Sequence, residues 1–409
     1  MSQQTEGIAL PCKAGISEAE SCKIPGQNMK VLILTCNTGG GHNSVARALS
    51  DTYEKRGIPC ETVDYLSLEP PGVSTLISQG HTGLYRHAPK LFGAGYELYE
   101  NYANTLGRYQ PFEQSLHIPN RRLRRLILEG GFTTVLMPHV FPAAGYTGIR
   151  NSLPDGVLSV FIATDYTCSP GVGKTRCDLY VIPHESLREE FMKKGVRGEI
   201  LPLGIPVSHR FARPRNQQMA RQALGLPNDK PLVLIMTGSM GLNQSIEVAQ
   251  ALWEARGDQL MIAILCGNNR ALLERCREVF RGCSGILPLG HTDRVPDYMD
   301  AADVLITKGG GLTSTEAAVK GVPLVHLGVI PGLEDYNLAF YQGLGLSRGT
   351  KKPREAAVLA LELVDHPEQG KTMMAAQQRE IPKDAAEAIC RETIRRQGIP
   401  NGKTWEECI

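Results

Sequence analysis

The sequence predicts an α/β protein of two Rossmann-like, doubly wound parallel-sheet domains facing each other across a cleft. Three observations carry this reading. Short apolar runs alternate with helical stretches along most of the chain, the βαβ pattern of a parallel sheet. Several of those runs are continuously apolar, as strands covered on both faces are, rather than alternating. Two runs also end in glycine loops that open into helices.

Ten runs read as strands, at 31–35, 59–63, 134–138, 157–164, 179–182, 233–237, 261–265, 286–289, 304–307 and 324–327. Helical segments with capping residues separate most of them. Asn243 and Ser245, for example, stand near the start of a helix over 247–256. A length of 409 residues exceeds one ordinary domain and suits two. The expected division is an N-terminal domain at 29–206 and a C-terminal domain at 207–409, with the change at Leu203 to Val207. From about Pro367 the chain is helical and charged, and its terminal helix could cross back onto the first domain. Residues 1–28 are polar and turn-rich, lack the apolar stretch of a signal peptide, and read as a disordered tail.

Composition excludes several classes. Charge is nearly balanced, with 44 basic and 42 acidic residues, so nothing global points to nucleic acid. The 11 cysteines are scattered, odd in number and never spaced C-x-x-C. That disfavours a disulfide framework or a zinc site and fits a reducing cytoplasm. No apolar run approaches the roughly 18 residues of a membrane-spanning helix.

The most informative stretch is 307–337. An apolar run ending at Thr307 leads into Gly309, Gly310 and Gly311, then the hydroxyl-rich Thr313, Ser314 and Thr315, with Glu316, Ala317 and Ala318 opening a helix. Such a helix start presents unpaired backbone N–H groups and a positive dipole end to an anion. Glu316, in the first helical turn, can accept hydrogen bonds from a ribose diol. A nucleotide diphosphate has both groups. A second unit runs from the strand Met29 to Thr35 through Gly39, Gly40, Gly41 and His42 into a helix from Ser44 to Ser50. One glycine loop often serves turn geometry alone. Two in one chain, the first ending in histidine, are more specific.

Ligands of open α/β sheets bind at the carboxyl ends of the strands. Four such ends carry polar or glycine-rich groups: Gly39 to His42, Thr164 with Asp165, Gly238 with Ser239, and the loop 308–315. His42 is the leading acid–base candidate, because an imidazole titrates near neutrality. The alternative is a histidine that only caps the following helix. His139 is either a competing base or structural, and Asp165 either orients a histidine or caps a turn. Gly171 to Thr175 mimics the tail of a P-loop, but Cys168 stands where the leading glycine belongs, and the stretch reads as a plain loop.

Segment 81–112 is unusually aromatic. Tyr85, Phe92, Tyr96, Tyr99 and Tyr102 share a helical face, interrupted by Pro89 and Gly93, with Arg86, Lys90 and Arg108 beside it. The pattern fits either an interfacial membrane segment or an amphipathic helix packed on the core.

These motifs resemble the monogalactosyldiacylglycerol synthases and the bacterial processive diacylglycerol glucosyltransferases, relatives of the lipid II N-acetylglucosaminyltransferase. The resemblance runs from about Lys30 to Leu346. It rests on Gly39 to His42, Thr164-Asp165-Tyr166, Gly204 to Val207, Thr307 and Lys308 with Thr315 to Ala317, and Pro331 and Gly332 with Glu334 and Asn337. It implies the GT-B fold and an inverting, metal-independent transfer of a hexose from a UDP-sugar to diacylglycerol, with no cofactor beyond the donor substrate. It further implies a peripheral enzyme on the cytoplasmic face of a membrane.

Carried onto this chain, the resemblance makes His42 the base that deprotonates the acceptor hydroxyl. Gly310, Gly311, Leu312 and Thr313 would receive the diphosphate, Glu316 the ribose, and Glu334 with Asn337 the hexose. Thr292 would border the uracil, Gly238 and Ser239 would complete the donor side, and Tyr85, Phe92, Tyr96 and Tyr99 would meet the acceptor and membrane. Two positions depart from the pattern. Leu333 stands where glutamine is usual, in the donor-sugar turn, and Cys168 to Pro170 replace a histidine and an aromatic near the acceptor. Three other readings keep the fold: transfer to a different lipid or soluble acceptor, a UDP-sugar 2-epimerase, and a non-catalytic UDP-sugar-binding protein. The epimerase would need an additional carboxylate and histidine cluster, which the sequence lacks.

Overall fold

The structure, a computed structural model, describes residues 29–36, 40–68, 120–213, 215–236, 244–328 and 332–398. Among these, twelve strands form two six-stranded sheets, both wholly parallel. The first sheet contains β1 (Val31–Thr35), β2 (Cys60–Asp64), β3 (Thr134–Met137), β4 (Leu158–Ile162), β5 (Leu179–Val181) and β6 (Glu199–Leu201). They lie in the order β2-β1-β3-β4-β5-β6. The second contains β7 (Leu232–Met236), β8 (Met261–Leu265), β9 (Ile286–Leu289), β10 (Val304–Lys308), β11 (Leu324–Leu327) and β12 (Arg348–Thr350). Their order is β12-β11-β10-β7-β8-β9.

Burial explains which strands were readable. All five residues of β1 are buried, as are all four of β3 and of β11, so each is a mainly apolar run. The ten expected strands are all present. The two that were not expected, β6 and β12, are three-residue edge strands with sequences EIL and RGT. An edge strand half-open to solvent needs no apolar run. Pro288 within β9 agrees with that strand's edge position, where a missing backbone donor is tolerated.

The chain passes to the second sheet through Leu203 to Val207. Gly204 there has φ +93, and a Cβ on it would lie 3.1 Å from Pro382 and 3.2 Å from Ala385, so both backbone and space favour glycine. The last described helix, Ala385–Gln397, returns to the first sheet's lobe. There the Tyr53 hydroxyl lies 2.6 Å from Thr393 Oγ1, both buried, and Gln397 Nε2 donates to Thr133 O at 2.7 Å. Arg56 pairs with Glu387, and Arg396 with Glu199, at its rim.

In each sheet the strand order reverses beside the first strand: β2 lies on one side of β1 and β3 on the other, and likewise β8 and β10 flank β7. Crevices at such reversals are where open α/β sheets bind ligands. The helix Gly40–Glu54 follows β1, and the helix Gly311–Lys320 follows β10. Their first turns meet: a Cβ on Gly41 would lie 3.8 Å from Leu312 Cβ.

Candidate active site

His42 sits in the first turn of the helix Gly40–Glu54, which starts earlier than Ser44 and takes in the end of the glycine run. Its Nδ1 is 2.9 Å from the Pro138 carbonyl, just beyond β3, and 3.3 Å from Thr164 Oγ1, beyond β4. A carbonyl can only accept, so Nδ1 carries the proton and Nε2 keeps its lone pair. Burial lowers the His42 pKa below its ordinary value, while Asp165 and the Pro138 carbonyl pull the other way. The ring is therefore neutral at pH 7, the state a general base needs.

His139 lies edge-on to His42, with ring centroids 4.6 Å apart. Its Nδ1 accepts from Phe141 N at 3.1 Å and caps the helix Val140–Ile149. That bond gives His139 the opposite tautomer and a structural task. Of the two histidines, His42 has the free lone pair on Nε2.

Opposite stands the helix Gly311–Lys320. It begins five residues earlier than Glu316, and the physical reason is in the hydroxyls. Ser314 Oγ donates to Gly310 O at 2.8 Å and Thr315 Oγ1 to Gly311 O at 2.7 Å, bonds that fit helical i−4 geometry. Thr313, Ser314 and Thr315 are thus helical, and Glu316 falls in the second turn rather than the first. Gly310 is the N-cap and offers no side chain to the N–H groups that follow. No acidic residue occupies the first turn. The N–H groups of Gly311, Leu312 and Thr313 are the natural anion donors. Gly310 differs, since its N–H donates to Lys308 O at 2.8 Å.

All three glycine carbonyls are held by side chains. Gly309 O accepts from Asn337 Nδ2 at 2.9 Å, and Gly310 O and Gly311 O accept from Ser314 and Thr315 as above. In a trans peptide the N–H points opposite to the C=O, so fixing the carbonyls of Gly310 and Gly311 aims the N–H groups of Gly311 and Leu312 the other way. Space is equally restricted. A Cβ on Gly311 would come within 2.1 Å of Thr164 O, and one on Gly309 within 2.7 Å of Glu334 O.

Glu316 is half-buried, and burial alone raises its carboxyl pKa to about 8. A carboxyl held in a cleft at such a cost is a functional candidate. Glu334, 6 % exposed, pairs with Lys308 at 2.5 Å. Asn337, expected near the hexose, is engaged within the protein. Its Oδ1 accepts from Tyr166 N at 2.6 Å, and its Nδ2 donates to Asp165 Oδ1 at 2.8 Å as well as to Gly309 O. With its amide engaged and its surface fully buried, Asn337 joins the two lobes. Asp165 accordingly bonds Asn337 and acts on His42 only through its charge.

Thr292 follows the edge strand β9, three strands from β10 and so ~14 Å away by strand spacing. Its hydroxyl accepts from Arg294 N at 3.1 Å. Gly238 and Ser239 lie outside the described residues, as do Tyr85, Phe92, Tyr96 and Tyr99. Gly171 to Thr175 forms a loop with a single short 3-10 turn, Val172–Lys174, after Gly171 at φ 85.

Sequence reasoning missed a buried support behind the glycine loop. His326, in β11 and without solvent exposure, contacts Ser314 Oγ through Nε2 at 2.8 Å and Ser347 Oγ through Nδ1 at 2.9 Å. Burial drives its pKa down to about 3, so it stays neutral and links the loop to the sheet. A histidine amid Leu324, Val325 and Leu327 was the available signal. Among the described residues, no three His, Cys, Asp or Glu side chains are grouped to hold a metal ion, and no helix is long and apolar enough to cross a membrane.

Comparison with known proteins places this geometry. Residues 42–207 match the monogalactosyldiacylglycerol (MGDG) synthase family, and residues 232–337 match the glycosyltransferase family 28 C-terminal domain. Processive diacylglycerol beta-glucosyltransferases resemble the chain over most of its length. The protein of that name from Staphylococcus carnosus is 25% identical over 374 residues, covering 90% of this chain and 93% of the relative. That from Bacillus pumilus is 24% identical over 386 residues, covering 93% and 99%. Among solved structures, Acinetobacter baumannii MurG superposes with a TM-score of 0.61 at 13% identity, covering 89% of this chain and 99% of that one, a likeness of fold. The chain thus pairs a region matching the monogalactosyldiacylglycerol synthases with one matching the glycosyltransferase family 28 C-terminal domain, on the two-sheet fold of GT-B glycosyltransferases.

Proposed function

We propose that the protein moves a hexose from a UDP-sugar to the free hydroxyl of diacylglycerol at a membrane surface, releasing UDP and a glycolipid. The observation that carries this is the meeting of a neutral His42 imidazole with an uncapped helix N-terminus across the lobe boundary. The names of the relatives support the lipid acceptor and the hexose.

In this reading Nε2 of His42 takes the proton of the acceptor hydroxyl as its oxygen attacks the anomeric carbon. The bond from that carbon to the diphosphate oxygen breaks, and UDP departs with the electron pair. The developing charge falls on the N–H groups of Gly311, Leu312 and Thr313, already oriented before reaction. Glu316 accepts from the ribose hydroxyls, and Glu334 lies toward the sugar. No resident cofactor enters the reaction. The protein acts as a peripheral enzyme on the cytoplasmic leaflet, where both UDP-sugar and lipid are within reach.

Transfer itself is the test. Purified protein is incubated in mixed micelles of diacylglycerol with UDP-glucose or UDP-galactose, lipids are resolved by chromatography, and UDP is measured in parallel. One donor should give a glycolipid with an equal amount of UDP. Both donors are needed because Leu333 alters the sugar turn. UDP release without a lipid product would point to another acceptor, and UDP binding without release would indicate a non-catalytic role.

A further inference from the structure

We infer that Tyr166, which belongs to the first lobe, is a positioning residue for the diphosphate site of the second, so that the donor site is complete only when the lobes are in contact. This deepens the proposed UDP-sugar reading and rests on it.

Tyr166 follows β4 and is 2% exposed, its ring stacked on Phe340 at 4.4 Å and edge-on to Tyr341 at 5.0 Å. Phe340 and Tyr341 both lie on the second lobe's helix Leu333–Gly343. A first-lobe side chain is therefore seated in the second lobe's core. Its hydroxyl lies 2.8 Å from Thr315 Oγ1 and accepts from the Tyr341 hydroxyl at 3.1 Å.

Proton accounting makes this a directed chain. Thr315 gives its only hydroxyl proton to Gly311 O, so toward Tyr166 it must accept. Tyr166 then donates to Thr315, and Tyr341 donates to Tyr166. Burial raises the Tyr166 pKa to about 12, which keeps its proton in place. The chain ends on the carbonyl whose peptide carries the Leu312 N–H, one of the proposed diphosphate donors. Tyr166 reaches the same loop by a second route: its backbone N–H donates to Asn337 Oδ1, and Asn337 Nδ2 holds Gly309 O. Two of the three glycine carbonyls are thus braced through one residue of the opposite lobe.

The test is Tyr166→Phe, which keeps the stacked ring and the backbone bond and removes only the hydroxyl. Titration calorimetry compares UDP with uridine, which lacks the phosphates. UDP affinity should fall by about 10-fold and uridine affinity by less than about 2-fold. Thr315→Val cuts the same chain from the other side, and the double variant should lose no more UDP affinity than either single change. Equal losses for UDP and uridine, additive losses in the double variant, or unchanged UDP binding by Tyr166→Phe would each overturn the inference. Failure of the wild-type protein to bind UDP would instead overturn the parent reading, and the two failures are separable in one experiment.

Discussion

Replacing His42 with alanine is expected to lower kcat by about 10²–10⁴-fold while leaving the Kd for UDP within about twofold. The asymmetry follows from where the imidazole sits. It lies in the first lobe, bonded to Pro138 O, and it makes no hydrogen bond to the helix Gly311–Lys320. The variant therefore removes a proton acceptor from the transition state and takes nothing from the donor site. In the wild type, the pH dependence carries the same signature. The His42 pKa is depressed by burial, so the acid limb of kcat/KM should bend below the ordinary histidine value of 6.5. His42→Ala should lose that limb. A variant with near-normal turnover would remove His42 from the role of base, and steady-state kinetics with parallel UDP titrations makes that decision.

Glu316→Gln should produce opposite effects on stability and on binding. In the free protein burial raises the carboxyl pKa from 4.5 to about 8. The folded state therefore holds a proton that the unfolded chain releases, and stability falls as pH rises from 4.5 to about 8, levelling above it. A shift of that size corresponds to at most about 5 kcal/mol, and partial exposure reduces it. The neutral amide escapes this cost, so thermal unfolding at pH 8 should show a gain on the order of 1–3 kcal/mol. UDP binding measured above pH 8, where the wild-type carboxylate is ionised, should weaken by about 10- to 100-fold, because an amide accepts from a ribose diol through one oxygen instead of two. Stability and affinity moving in the same direction would remove Glu316 from the ribose site.

The parts of this protein that were legible in the sequence are those governed by local burial. Val31 to Thr35 and Leu324 to Leu327 announce themselves because both faces of each strand are covered, and Gly309 and Gly311 because no other residue fits so close an approach. Helix starts were less legible. Ser and Thr favour turns by bonding to nearby backbone, but in Ser314 and Thr315 the same bonds run back to Gly310 and Gly311 and belong to the helix. What could not be read were contacts between lobes. The resemblance placed Asn337 near the hexose, and nothing local announced that its hydrogen-bond partners Asp165 and Tyr166 follow a strand of the other sheet. Such pairings depend on how two separately folded sheets dock, and no local pattern encodes that. The support that His326 gives the loop was hidden similarly, through Ser314 and Ser347 on either side of it in the chain.

In the proposed geometry, an acceptor activated by His42 attacks from one side as the diphosphate leaves toward Gly311 to Thr313 on the other. The most direct test is the anomeric configuration of the glycolipid made from an α-linked UDP-hexose, read from the proton coupling at the anomeric carbon by NMR. In-line displacement predicts the β-linked product. An α-linked product would mean that configuration is retained, and would contradict direct attack by an acceptor that His42 has deprotonated.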